Sequence, residues 1–152
     1  YNSDLANDFG NLVSRVSTLI NNNFDSKIPI PSTMESDLAN NYKKINLKDS
    51  LDNLAIDKVI NDTMTFIRSI NVFMEKNEPW KLVKEDKKKA GHILFHCAEA
   101  LRLSAILLSP VMPSKSNDIL KILGTKEKSL AWGQLKPSSS ITLSKPIFPR
   151  IN

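Results

Sequence analysis

Glycine and cysteine are scarce in this chain of 152 residues, which has four glycines and one cysteine. No glycine lies in a G-x-G-x-x-G or G-K-[ST] setting, so the usual phosphate-binding loops are absent from the sequence. No G-x-S-x-G nucleophile elbow occurs either. The single cysteine, Cys97, cannot form an internal disulfide or a zinc site by itself, which favours a reducing compartment such as the cytosol.

Long apolar runs are also missing. No uncharged apolar stretch reaches about 18 residues, so we expect no membrane span, and no basic leader precedes an apolar segment, so we expect no secretory signal. The chain begins with Tyr1 rather than Met, directly before a helix start, and we therefore expect a piece of a longer protein. The net charge of +5 allows an anionic partner without requiring one.

Apolar residues recur at helical spacing along most of the chain and predict an all-α fold, a single domain over residues 1–152. The fourth helix is apolar almost all round, which is typical of the centre of a bundle. Pro79 is expected to end the helix before it. We expect a helical bundle of about five helices, over residues 3–23, 34–51, 54–75, 92–108 and 117–123.

The residues after Gly124 differ in character. Gly124 is expected to close the fifth helix, and the serines and prolines that follow predict an irregular tail over residues 125–152. The tail is expected to pack along the bundle through its apolar side chains, which are Trp132, Leu135, Ile141, Leu143, Ile147 and Phe148.

His92, His96 and Cys97 are the only grouped residues with metal-ligand chemistry. They lack the glutamate of an H-E-x-x-H motif and any second ligand cluster, so we expect packing residues and no metal site. A cysteine within an apolar helix has a raised thiol pKa and is inert, which argues against a nucleophile. The chain therefore carries no recognisable catalytic site.

Four segments together resemble the anticodon-binding domain of bacterial-type methionyl-tRNA synthetases, which are class I enzymes. They are N-L-V-S-R at residues 11–15, the acidic-rich segment 71–82 that contains Pro79-Trp80, L-L-S-P-V-M-P at 107–113, and W-G at 132–133 followed by F-P-R-I at 148–151. These segments occur in the family's order along the whole chain. The family's H-I-G-H and K-M-S-K-S nucleotide-binding motifs and its zinc-bearing insertion are absent.

The resemblance implies a domain that binds the CAU anticodon of initiator and elongator methionine tRNAs in the cytoplasm. It implies no cofactor in this chain. ATP, and zinc in some members, would belong to the parent methionine–tRNA ligase, whose catalytic domain would be this domain's partner. Two alternatives stay open: the equivalent domain of a Leu, Ile, Val or Cys enzyme, and a helical protein-interaction module with an exposed apolar stripe and no RNA ligand.

Asn11 and Arg15 lie one helical turn apart on a flank of the first helix, away from its apolar stripe. An amide can match a base edge, and a guanidinium can pair with a base or phosphate or stack. Trp80, which we place in a connection between helices, offers a stacking platform. The resemblance implies that these three residues bind the anticodon. Glu75 and Pro79 are weaker candidates that shape the pocket, and the possible phosphate contacts are Lys84, Lys87, Lys88 and Lys89.

Overall fold

Seven helices form within the residues that the computed structural model describes, which are 3–45 and 47–142. In chain order they are α1 (Ser3–Asn23), α2 (Asp37–Lys43), α3 (Leu47–Asp52), α4 (Ile56–Asn77), α5 (Pro79–Glu85), α6 (Lys87–Leu108) and α7 (Pro113–Ile122). No strand occurs in this part of the chain, where a single isolated β-bridge pairs Lys27 with Ser140. The all-α prediction is confirmed.

Helix α1 has the predicted bounds and the predicted buried face. Its apolar side chains recur every three or four residues, which places them in one stripe against the core. The buried members of this stripe are Phe9, Leu12, Val13, Val16 and Ile20. Among the residues whose burial is described, Asp8, Asn11, Ser14 and Thr18 are exposed.

Helix α6 is the centre of the bundle, as predicted, and packs against α1, α2, α4, α5 and α7. It begins at Lys87 rather than at residue 92, because the Asp86 side chain caps it by accepting the Lys89 N–H at 3.1 Å. By length and composition α6 could cross a membrane, but 89% of its most apolar stretch is buried inside the protein. It is therefore the core helix of this bundle.

The single helix expected over residues 34–51 was wrong, because two short helices stand there. Ser36 sets the start of α2, since its Oγ accepts the Ala39 N–H at 3.0 Å. The helix ends where Lys44 and Ile45 donate to carbonyls three residues back, which tightens the last turn. Helix α4 likewise begins at Ile56 rather than at residue 54, because Leu54 has a positive φ of 56°.

Two prolines begin helices that we did not expect to start there. Pro79 is the first residue of α5, a helix absent from the prediction, and Pro113 is the first residue of α7, expected from residue 117. Proline suits the first helical position because its φ is already helical and its missing N–H would have no partner there. Trp80 therefore lies in the first turn of a helix rather than in a connection.

The described part of the tail packs on the bundle, with Leu135 and Ile141 buried and Trp132 partly buried. A fully buried ion pair on α6, Glu99 with Arg102, holds this segment. Arg102 donates to the carbonyls of Ser129 at 2.7 Å and Ala131 at 3.0 Å. Glu99 accepts the backbone N–H groups of Gly133 and Gln134. Residues 143–152, with Leu143, Ile147, Phe148 and the F-P-R-I motif, lie outside the described residues.

Candidate nucleic-acid interface

A surface pocket of about 340 Å³ opens where α1 packs against α4. Asn11 is exposed and Arg15 is partly exposed, as the helical spacing predicts, and both side chains line this pocket. The remaining lining residues are Asp8, Leu12, Ser14, Asn71 and Glu75. The structure therefore brings Asn11, Arg15 and Glu75 together in one half-open cavity.

Arg15 is the best-connected side chain of this pocket. Its Nη1 donates to Asn71 Oδ1 at 3.3 Å, and its Nη2 pairs with Glu75 Oε1 at 3.2 Å. Its guanidinium carbon also lies 5.4 Å from the centroid of the Trp80 ring, within the range of a cation–π contact. Arg15 thereby links Trp80 to the pocket that Asn11 also lines.

The turn between α4 and α5 positions Trp80. Glu78 adopts the left-handed conformation with φ 48°, which ends α4 and lets Pro79 start α5 in a new direction. The Glu78 carboxylate pairs with Lys81 Nζ at 2.7 Å, and this hydrogen bond raises the pKa of Lys81. Pro79 is buried, so its role is to anchor the turn, while Trp80 stays half-buried beside Arg15.

Asp8 and Asn71 also line the pocket, and the sequence analysis did not select them. Asn71 and Glu75 are four residues apart on α4, so they share one helix face. That spacing is a readable signal, but only the fold shows that this face meets Arg15. Asn71 adds a second amide beside Asn11, with both a donor and an acceptor.

The predicted lysines lie apart from this pocket. Lys84 is exposed at the end of α5, and Lys87, Lys88 and Lys89 form the first turn of α6. Lys87 and Lys88 line a different cavity, beside Phe24 at the end of α1. The structure therefore separates the lysine run from Asn11 and Arg15.

The two histidines serve packing in this structure. His92 Nδ1 accepts the Ser32 N–H at 3.1 Å, and the two ring nitrogens of His96 bond Ser36 Oγ and the Thr33 carbonyl, each at 2.9 Å. Burial lowers the pKa of both imidazoles. Burial raises the pKa of the Cys97 thiol, as expected for an inert cysteine. Within the described residues no group of three or more His, Cys, Asp or Glu side chains could hold a metal.

The large apolar side chains exposed in the described residues do not form the stripe expected of a helical protein-interaction module. Four lie in loops and two on α4, one at its first residue and one in its second half, rather than along α2 or α3. They are Ile30, Met34, Leu54, Ile56, Val72 and Val111.

The fold is that of a helical domain found in aminoacyl-tRNA synthetases. It superposes on a crystal structure of Mycobacterium tuberculosis methionyl-tRNA synthetase bound by methionyl-adenylate with a TM-score of 0.79 and 25% identity, over 97% of this chain and 32% of that one. The free form of that enzyme gives a TM-score of 0.80 over 99% of this chain, at 24% identity.

The chain belongs to the family of anticodon-binding domains of methionyl tRNA ligases, whose family model matches residues 30–149. Helix α1 lies before this match, but curated relatives align with 99% of the chain, α1 included. The methionine–tRNA ligases of Caldanaerobacter subterraneus and Thermotoga maritima are 34% and 31% identical to it. The chain spans 26% of the length of each. The family shown is therefore the methionyl one.

Proposed function

We propose that this domain reads the CAU anticodon of initiator and elongator methionine tRNAs. The observation that carries the proposal is the cluster at Arg15, which unites Asn71, Glu75 and Trp80 at a pocket that Asn11 also lines. Protein recognition of RNA sequence relies mainly on unstacked bases of loops, which are stacked on aromatic rings and hydrogen-bonded at their edges. An indole, a guanidinium and two amides at one place supply both kinds of contact.

Each residue has a distinct part in this proposal. Asn11 donates to and accepts from a base edge, Arg15 offers a planar cation to a base or phosphate, and Trp80 stacks with the first anticodon base. Glu75 holds Arg15 in place, and Pro79 fixes the turn that presents Trp80. Lys84 and the lysines of the first α6 turn contact phosphates, which adds affinity without base preference.

The catalytic step belongs to other parts of the parent protein in this proposal. The parent is an ATP-dependent methionine–tRNA ligase of the cytoplasm, and its catalytic domain, with ATP and with zinc where the family carries it, partners this domain. The anticodon-binding domain supplies tRNA selection and part of the binding energy.

Trp80→Ala tests the stacking contact. Loss of one base–aromatic stack is worth about 1–3 kcal/mol, so the variant should bind a labelled CAU anticodon stem-loop about 5- to 160-fold more weakly, as measured by fluorescence anisotropy. The helical circular-dichroism spectrum should be unchanged, because Trp80 is only half-buried.

Trp132→Phe is the control. Trp132 belongs to the tail and packs on Tyr42 of α2 and His96 of α6, and it does not line the pocket at Arg15. The substitution should lower the unfolding temperature and leave the RNA affinity unchanged. Equal RNA affinity of Trp80→Ala and the unmodified chain would remove Trp80 from the site.

A further inference from the structure

A second pocket, of about 240 Å³, opens between the end of α1, the segment after it and the start of α6. Its floor is apolar and its rim is basic. The floor consists of Phe24, Ile28, Pro29, Ile30 and Gly91, and the rim carries Lys27, Lys87 and Lys88, with Ser138 at the edge. No acidic residue lines it.

The three rim lysines are unneutralised. None of them contacts a carboxylate in the described part of the chain, and Lys87 Nζ instead lies 5.3 Å from the centroid of the Phe24 ring. Lys87–Lys89 occupy the first turn of α6, where the helix dipole disfavours positive charge. Asp86 caps the Lys89 N–H and does not line the pocket. Two of the rim lysines, Lys87 and Lys88, are thus placed against a local rule with no carboxylate partner among the described residues, and such exceptions are expected at functional sites.

The apolar floor is preformed by close packing. A Cβ added at Gly91 would lie 3.2 Å from Pro29 Cβ and 3.3 Å from Phe24 Cε1, so this glycine lets α6 approach the floor closely. The Ile28 N–H donates to the Ser139 carbonyl at 2.8 Å, and the Ser138 N–H returns to the Ile28 carbonyl at 2.8 Å. Ile30, part of this floor, leaves 70% of its surface exposed. The protein thus holds an apolar surface open to solvent beside three ammonium groups that pair with no carboxylate among the described residues.

Helix α5 connects this pocket to the candidate anticodon site. Trp80 is in its first turn, Lys84 lies four residues later on the same helix face, and Lys87 follows its end. Trp80 and Glu85, the last residue of α5, are five residues apart, which is about 7–8 Å along the helix at 1.5 Å per residue. The chain changes direction at Asp86, and Lys87 begins α6. Trp80 and the pocket lysines therefore lie near the two ends of one short helix, whose length equals about two stacked nucleotides at 3.4 Å each.

We infer that this pocket binds one unpaired nucleotide of the tRNA outside the anticodon, with a phosphate at the lysines and the base or ribose on the apolar floor. The inference rests on the proposed function for the identity of the RNA. The volume is below the roughly 300–1,000 Å³ of pockets for larger ligands, which suits a single nucleotide. The three lysines favour a polyanion, and the flat apolar floor favours a base over a bare phosphate.

Two variants test the two halves of the pocket in anisotropy titrations of a labelled CAU stem-loop between about 50 and 200 mM salt. Lys87→Gln/Lys88→Gln should lower the slope of log affinity against log salt by about 0.7–0.9, which corresponds to the one phosphate contact proposed. Ile30→Ser should weaken binding a few-fold, because apolar contact surface under the base is lost, and leave the salt slope unchanged. Neither variant should alter the preference for CAU over a loop with one anticodon base changed.

Lys43→Gln/Lys44→Gln is the matched control, because it removes the same charge from an exposed lysine pair at the end of α2. An equal slope change in this control would overturn the inference, since it would reflect net charge alone. If both pocket variants bind the RNA as tightly as the unmodified chain does, the inference is overturned. That result would favour an acidic protein segment as the occupant of the pocket. If the unmodified chain shows no CAU preference, the proposed function fails. The salt slopes of the pocket variant and of the control can still be compared, and they decide whether the pocket binds RNA.

Discussion

Arg15 makes three contacts with two different helices, and these contacts orient its side chain rather than stabilise the fold. Its side chain is 39% exposed and that of Glu75 is 58% exposed. An ion pair this exposed contributes about 0–1 kcal/mol to stability. Together with Asn71 and the Trp80 ring, the pair fixes the plane of the guanidinium at the mouth of the pocket. Such orientation matters for base recognition, because a planar fork must meet a base edge in register.

Arg15→Lys should separate charge from geometry. Lysine keeps the positive charge but lacks the planar fork, so we expect the salt slope of RNA binding to be retained while discrimination against a changed anticodon base falls by about 1–3 kcal/mol, the worth of one bidentate contact. Arg15→Ala should lose both. Stem-loop titrations at two salt concentrations measure these effects, and full discrimination by the lysine variant would contradict a geometric role for Arg15.

The site was predictable from the sequence only where its residues share a helix. Asn11 and Arg15 are one turn apart on α1, so periodicity alone placed them on one polar flank. The contact between Arg15 and Asn71 joins residues 56 positions apart. No local spacing encodes such a contact, because it depends on how α1 packs against α4. The role of Trp80 came from the family resemblance, and its cation–π contact with Arg15 came from the structure.

At the scale of elements, prolines and caps account for most of the differences between the expected and observed helices. Pro79, which was expected to end a helix, is the first residue of α5, and Pro113 is the first residue of α7, which was expected to begin at residue 117. The long helices α1, α4 and α6 were predictable because apolar residues recur at helical spacing over a long stretch of each. The tail was expected to pack along the bundle, but its point of attachment could not be predicted, because it depends on Glu99 and Arg102, two charged residues within an apolar helix.

Breaking the buried pair of α6 should strongly destabilise the domain. Arg102→Met leaves the Glu99 carboxylate buried without its partner, and the expected loss is about 3–5 kcal/mol of unfolding free energy. Adding Glu99→Gln should recover part of this loss, since a neutral amide can still accept the Gly133 or Gln134 N–H. Urea denaturation followed by circular dichroism measures both variants.

The exposed pair Lys58–Asp62 on α4 provides the control for this experiment. Lys58→Met should cost less than about 1 kcal/mol. If Arg102→Met cost no more than this control, the buried pair would not be what holds the tail segment against α6.

At the scale of the whole molecule, His92 and His96 couple folding to pH, because both hold the loop that precedes α2. His92 accepts a backbone N–H, and His96 is lodged between a hydroxyl and a carbonyl. Burial lowers the pKa of each imidazole, below the ordinary value of 6.5. The unfolded chain therefore takes up protons more readily than the folded one once the pH falls through 6.5.

Stability should consequently be full above about pH 6.5 and fall on acidification below that value, until the folded state also becomes protonated. His96→Gln should reduce this dependence, since an amide can bond Thr33 without titrating, while His92 retains its own share. Urea unfolding at several values between pH 7 and pH 5 measures the slope. If the slope of unfolding free energy against pH is the same in His96→Gln as in the unmodified chain, the acid sensitivity belongs to other groups.

The central claim, that the cluster at Arg15 reads an anticodon, is tested most directly by titrating the chain with anticodon stem-loops at low and moderate salt. The loops compared carry CAU or the same sequence with one anticodon base changed. We predict a preference for CAU of about 1 kcal/mol or more for each changed base, retained as the salt concentration rises. Equal affinity for the two loops, with binding that depends only on salt, would contradict the claim and leave a basic helical bundle that binds RNA without reading it.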